Sequence, residues 1–240
     1  MMKTTQSTTM GISLIAVVRH FAIACIAVGF ATSTLADHPG EKIDSWMLEQ
    51  EKYFQAIDKP TAPPFELEDA SGKLVRLSDF NDKIVVLHFI FASCPDICPL
   101  HTNKLAELQA MVNTANMSEH VQFISITTDP KNDDAAALAN YGDRHGLDSE
   151  NWTMLTKLRN SPDDVTRRLA LEYGQKFTMS ADSDMQMHAA VVHIIDRGRF
   201  AAKLHGMEFN NTNAVFYING LIYNEPHPAK PKSWWRRLIE

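Results

Sequence analysis

The chain has 240 residues, 45% of them hydrophobic, and a formal net charge of −6. That suffices for one domain of ordinary size with appendages and excludes disorder throughout. An acidic chain with no internal Lys/Arg cluster also argues against a nucleic-acid partner; its only basic patch, Lys230, Lys232, Arg236 and Arg237 around Trp234-Trp235, falls in a C-terminal stretch that reads as a solvated tail.

Residues 1–36 differ from the rest. Lys3 is the only early charge, Gly11 to Val18 and Phe21 to Phe30 are apolar, and Thr34-Leu35-Ala36 resembles the small-x-Ala pattern before a cleavage site. The segment is expected to be a secretory signal peptide. Arg19 and His20 interrupt it, so neither half reaches the ~20 apolar residues of a comfortable span, and an uncleaved N-terminal anchor is the alternative. Cys25 sits in a poor lipoprotein signal. Removing residues 1–36 takes Lys3 and Arg19 and no acid, so the net charge of −6 becomes −8. Cys94 and Cys98 then remain as a pair in an exported, oxidising compartment, periplasmic or at the outer face of an inner membrane. There such a pair is oxidised unless a reductant or a metal holds it.

Residues 37–61 read as a lead-in, with a short amphipathic helix near Ile43 to Ile57. Phe65 to Glu68 and Leu74 to Leu77 predict a β-hairpin. The apolar, β-branched run Lys83 to Phe91 predicts a buried strand. It stops at Cys94-Pro95-Asp96-Ile97-Cys98-Pro99, where Pro99 suits the first position of a helix continued by Leu105, Leu108 and Met111. Val121 to Thr127 predicts a second buried strand ending at Thr128-Asp129-Pro130. Then follow a helix from Asp133 to His145 stopped by Gly146 and a short strand from Trp152 to Leu155. A helix from Ser161 to Tyr173 comes next, with Ser161 as N-cap, Pro162 at N1 and Gly174 as the stop. A polar loop runs from Phe177 to Met187. Ala189 to Ile195 and Arg199 to Leu204 form a hairpin around Asp196-Arg197-Gly198, and Asn213 to Tyr223 is the last helix. Strands alternating with helices and closing on an antiparallel hairpin predict an α/β domain over residues 62–223. Its mixed central sheet carries helices on both faces and an N-terminal β-hairpin, as in a thioredoxin-like fold, with residues 224–240 as a tail.

The chemistry centres on the cysteines. A thiol at a helix N-terminus feels the positive end of the dipole, which favours the thiolate and makes Cys98 a better nucleophile or metal ligand. Three intervening residues leave the pair close enough for a disulfide or for two bonds to one soft metal ion. Two thiolates satisfy an ion such as Cu(I) only partly, and a neutral imidazole is the usual supplement. His188 lies directly before the strand from Ala189, at the loop-to-strand junction that faces the cysteine turn in a thioredoxin-like fold. Thioredoxins usually carry a cis-proline there; this chain has a histidine, which suggests metal capture. His88 is expected to be a core or sheet-face residue and His101 to face solvent. Met179, Met185 and Met187 flank His188 as soft thioethers.

These residues resemble the Sco/SenC family, exported copper-binding proteins of thioredoxin-like fold that help assemble the dinuclear copper site of cytochrome c oxidase. The likeness spans residues 62–223 and is carried by Cys94-Pro95-Asp96-Ile97-Cys98-Pro99, by Asp129-Pro130, and by His188 with the following strand and Asp196-Arg-Gly198. It implies copper, as Cu(I) or Cu(II), held by Cys94, Cys98 and His188, and leaves the role of Asp129 open. Phe91-Ala92-Ser93 and Lys157 depart from the family's common residues without touching those ligands. The implied function is an exported metallochaperone that delivers copper to a copper-accepting protein, an oxidase subunit or another copper enzyme, served by a copper donor and a thiol reductant. A membrane contact follows only if the N-terminal segment is uncleaved. The alternative is a thiol-disulfide oxidoreductase that reduces an acceptor's cysteines through Cys94 and Cys98. A peroxidase fits poorly, because Phe91 stands where a peroxidatic cysteine usually has Thr or Ser three residues earlier.

Overall fold

The computed structural model describes residues 41–94, 97–179, 186–188 and 190–223. The expected signal segment, Cys25 and the basic tail with Trp234-Trp235 lie outside the described residues. The elements are α1 (Glu41–Gln50), β1 (Phe54–Lys59), β2 (Glu66–Asp69), β3 (Leu74–Arg76), β4 (Ile84–Ile90), α2 (Ile97–Thr114) and β5 (Val121–Thr127). They continue with α3 (Ala135–Ala139), α4 (Tyr141–His145), β6 (Trp152–Thr156), α5 (Val165–Glu172), β7 (Phe177–Met179), β8 (Gln186–His188), β9 (Val191–Asp196), β10 (Arg199–His205) and α6 (Asn211–Tyr223).

Eight strands form one mixed sheet in the order β1-β10-β9-β4-β5-β6-β2-β3, and β7 and β8 form a separate ribbon. At its centre β4 runs parallel to β5 and antiparallel to β9. All seven residues of β4 are buried, as the unbroken apolar run predicts for a strand covered on both faces. Side-chain alternation divides them. Ile84 and Val86 join the core under α1, α2 and α6, while Val85, Leu87 and Phe89 join the core under α5 and the β2-β3 hairpin. Ile90, the last of the strand, belongs to a third cluster that contains both cysteines.

The expected hairpins form. β2 pairs antiparallel with β3, and β9 with β10 across Arg197 and Gly198, whose φ angles of 49° and 88° supply the left-handed turn that joins closely spaced strands. The Arg197 guanidinium also donates to the carbonyls of Leu221 and Ile222, at 3.2 Å each, and so caps the last turn of α6.

Several local expectations differ. The helix expected from Ile43 to Ile57 ends at Gln50, and the chain turns into β1, which pairs with β10. Tertiary pairing along an open sheet edge outweighs the helical pattern of this short stretch. The helix expected from Asp133 to His145 is two short helices meeting at Asn140, and the second ends at Gly146 in the left-handed conformation. Helix α5 starts at Val165 behind Asp164, four residues after Ser161, because Ser161 is held in a turn by its N–H bond to the Leu158 carbonyl at 2.9 Å. Helix α2 begins at Ile97, so Pro99 is its third residue. The polar loop expected from Phe177 to Met187 contributes β7 and β8 at its two ends.

One buried residue sets an acid limit. His193 is fully buried among the rings of Tyr173, Phe89 and Phe200, at centroid distances of 5.3, 5.6 and 5.9 Å. Burial pushes its pKa down to about 3. An unfolded histidine titrates near 6.5, so the unfolded chain binds the extra proton first and stability falls as pH drops from about 6.5 towards 3. Urea unfolding at pH 7 and pH 4 should show His193 contributing a loss of the order of 3 kcal/mol. His193→Leu should flatten that slope, and an unchanged slope would overturn the assignment.

Candidate metal centre

The site is built where β4 leaves the sheet. Thr127, the last residue of β5, pairs with Ile90, and Thr128 donates to the Ile90 carbonyl from both its N–H (2.7 Å) and its hydroxyl (3.1 Å). The chain then turns, with the Cys94 N–H donating to the Phe91 carbonyl at 3.1 Å. Helix α2 starts three residues later and puts Cys98 in its first turn, as the strand-cysteine-helix pattern predicts. The Cys98 N–H donates to Cys94 Sγ at 3.4 Å. The two cysteines carry separate thiols and are 7% and 1% exposed. Their wall is Ile90, Phe91, Leu138, Tyr141 and Met154, with Trp152 packed against it.

The electrostatics correct one expectation. The helix dipole should favour a Cys98 thiolate, yet burial pushes the Cys98 thiol well above its ordinary range, and the neighbouring Cys94 and Asp133 push the same way. A single helix terminus does not offset the loss of water around a thiolate that is almost completely covered. Cys98 rests as a neutral thiol.

The histidines separate clearly. His88 is buried on β4, as expected, with Nε2 at 2.5 Å from the Ser125 hydroxyl, which also accepts from Trp152 Nε1 at 2.9 Å. His101, expected to face solvent, is 2% exposed, and its ring lies 5.3 Å from that of His88. One turn after Cys98, it falls on the face of α2 that packs on the sheet. His188 closes β8, its backbone paired with Phe177; its side chain lies outside the described residues. Strand β9 begins three residues later at the sheet end where β4 leaves, since Val192 pairs with His88. Met179 and Met187 fall on β7 and β8, and Met185 lies outside the described residues. Among the described residues no three His, Cys, Asp or Glu side chains converge on a common ion position.

Asp129, singled out with Pro130, is bonded within its own loop. Its carboxylate accepts from the Asn132 amide at 2.8 Å, and its backbone carbonyl from the N–H groups of Asn132 and Asp133. The residue that reaches the cysteine turn is Asp133. Its Oδ2 accepts from the Ala92 N–H at 2.8 Å and from the Thr127 hydroxyl. The only sequence signal for it was a second acid four residues after Asp129, and that reads equally well as a helix start.

A mixed sheet with helices on both faces and two cysteines bracketing the junction of its central strand and the next helix defines a thioredoxin-like dithiol protein. The SCO1/SenC family model matches residues 55–221. The chain belongs to the SCO1/SenC family. The SCO1 protein homolog of Bacillus subtilis is 32% identical over 93 residues, which is 39% of this chain and 47% of that relative. The match thus spans less than half of that curated relative's length. A SCO1/SenC family lipoprotein from Bacillus anthracis superimposes with a TM-score of 0.61 at 23% identity, over 70% of this chain and 97% of that one. Yeast Sco1 with copper bound superimposes with a TM-score of 0.57 at 24% identity, over 73% and 97% respectively. These likenesses establish the fold.

A thiol held neutral by burial reacts slowly. In a folded Cys94→Ser variant at about pH 7.5, iodoacetamide should alkylate Cys98 more than tenfold slower than in the urea-unfolded chain, because the thiolate is the nucleophile. Equal rates would mean that Cys98 is neither covered nor raised.

Proposed function

We propose that this protein binds copper through Cys94, Cys98 and His188 and passes it to a copper-accepting protein, such as the subunit that carries the dinuclear copper site of cytochrome c oxidase. The observation that carries the proposal is the pair of buried thiols within one turn, in a chain of the SCO1/SenC family whose yeast relative Sco1 holds copper. Two soft sulfur donors suit Cu(I), and an imidazole completes a three-donor set. His188 is supported as that imidazole by its place just before β9, which enters the sheet beside the end of β4. The ion is cargo: it arrives from a donor, is held, and leaves by ligand exchange, with no substrate turned over.

The electrostatics suit a carrier. The Cys98 thiol is neutral when no ion is present, so the buried site does not hold an uncompensated thiolate. When copper binds it replaces the thiol proton, and the ion's charge compensates the thiolate that forms. The hydrophobic wall of Ile90, Phe91, Leu138 and Met154 keeps water from competing for the ion. An exported location and a thiol reductant go with this reading, since the dithiol must be reduced to bind Cu(I).

Anaerobic titration of the reduced protein with Cu(I) in competition with a chelator tests it. One tightly bound ion is expected, with affinity rising about tenfold per pH unit through the Cys98 proton alone. His188→Ala should weaken binding by at least tenfold while leaving the Cys94-Cys98 disulfide able to form. Unchanged affinity in that variant would remove His188 from the ligand set. Weak, non-stoichiometric binding by the unsubstituted protein would move the assignment to a thiol-disulfide oxidoreductase.

A further inference from the structure

The turn that carries Cys94 is held in part from outside its own strand and helix. Within the turn, the Cys94 N–H donates to the Phe91 carbonyl. Further support comes from residues 127–133, at the end of β5 and just beyond it. Thr128 donates twice to the Ile90 carbonyl, and Asp133 accepts from the Ala92 N–H at 2.8 Å. Asp133 is 4% exposed, and its second anchor is the hydroxyl of Thr127. Thr127 also accepts from the Asp129 N–H at 3.0 Å, so the Thr127 hydroxyl, the carboxylate and the Ala92 amide form one connected network.

We propose that Asp133 is the positioning residue of the cysteine turn, gripping the backbone at Ala92 so that Cys94 is placed before any metal or second thiol engages it. The inference rests on the reading of Cys94 and Cys98 as the reactive pair. Two features make a carboxylate the suitable group. It is acceptor-only, and one of its oxygens, Oδ2, receives both the Ala92 N–H and the Thr127 hydroxyl. Its charge also makes each of these bonds stronger than a neutral one. Such a support behind a ligating residue typically changes metal affinity by 10- to 100-fold when it is removed. Asp133 lies 39 residues beyond Cys94, so local structure alone does not hold the turn.

The test compares Asp133→Asn, Asp133→Glu and Thr127→Val with the unsubstituted chain in three measurements: far-UV circular dichroism, Cu(I) affinity, and the reduction potential of the Cys94-Cys98 pair. Asp133→Asn should stay folded, bind Cu(I) at least tenfold more weakly and show a shifted potential. Thr127→Val should move both quantities in the same direction by less, and Asp133→Glu should restore part of the loss. Should Asp133→Asn fail to fold, Thr127→Val and Asp133→Glu carry the comparison. Folded variants with unchanged affinity and unchanged potential would overturn the proposal. The potential is measured without copper, so absence of copper binding by the unsubstituted protein would sink the copper reading while the Asp133 comparison still gives its answer.

Discussion

The structure depends on the burial of β4 between β5 and β9. All seven residues of the strand are covered, and its backbone is paired on both edges, so the central strand has no freedom to shift. Displacement by one residue would exchange its two faces, driving His88 into the core under α5 and Phe89 into the core under α2. A buried imidazole that has its hydroxyl partner Ser125 on one face only makes that exchange costly. Because the register is determined there, the point at which the chain must leave the sheet is determined as well, and the cysteine turn follows it.

Parallel pairing of β4 with β5 then brings two loops to the same end of the sheet. The loop after β4 and the first turn of α2 hold the cysteines, and the loop after β5 holds Thr128, Asp129 and Asp133; antiparallel β9 enters beside them. That arrangement explains why residues scattered over a hundred positions share one edge. It also explains the division of labour between the two acids. Asp129 shapes its own loop through Asn132, while Asp133, four residues on, reaches across to the turn that precedes Cys94.

Burial and reactivity are set against each other in this site. The cysteines lie among aliphatic and aromatic side chains, and the covering that protects Cys98 from water also raises its thiol. A thiol kept neutral in this way is a poor free nucleophile and a good latent ligand, because a soft cation can supply the charge that water no longer does. The helix N-terminus helps, but its influence falls off within a turn and is smaller than the cost of stripping the hydration of an anion.

Much was legible in the residues themselves. The period-free β-branched run of β4 and β5, the turn residues of both hairpins, the glycines that end α4 and α5, and the cysteine spacing at a strand-to-helix junction all come from local preferences that act over a few residues. The family resemblance rests on the same short motifs. What depended on distant partners was not legible. Residues 54–59 became a strand because β10 offered an open edge. His101 was buried because α2 turned that face to the sheet. Asp133 became the anchor of the cysteine turn because parallel strands set its loop beside that turn. The sequence alone determined most of the strands and helices and where the two thiols sit along the chain; only the tertiary structure decided which far-off groups surround those thiols and in which direction the protonation of Cys98 shifts, because desolvation and hydrogen bonding are set by neighbours in space.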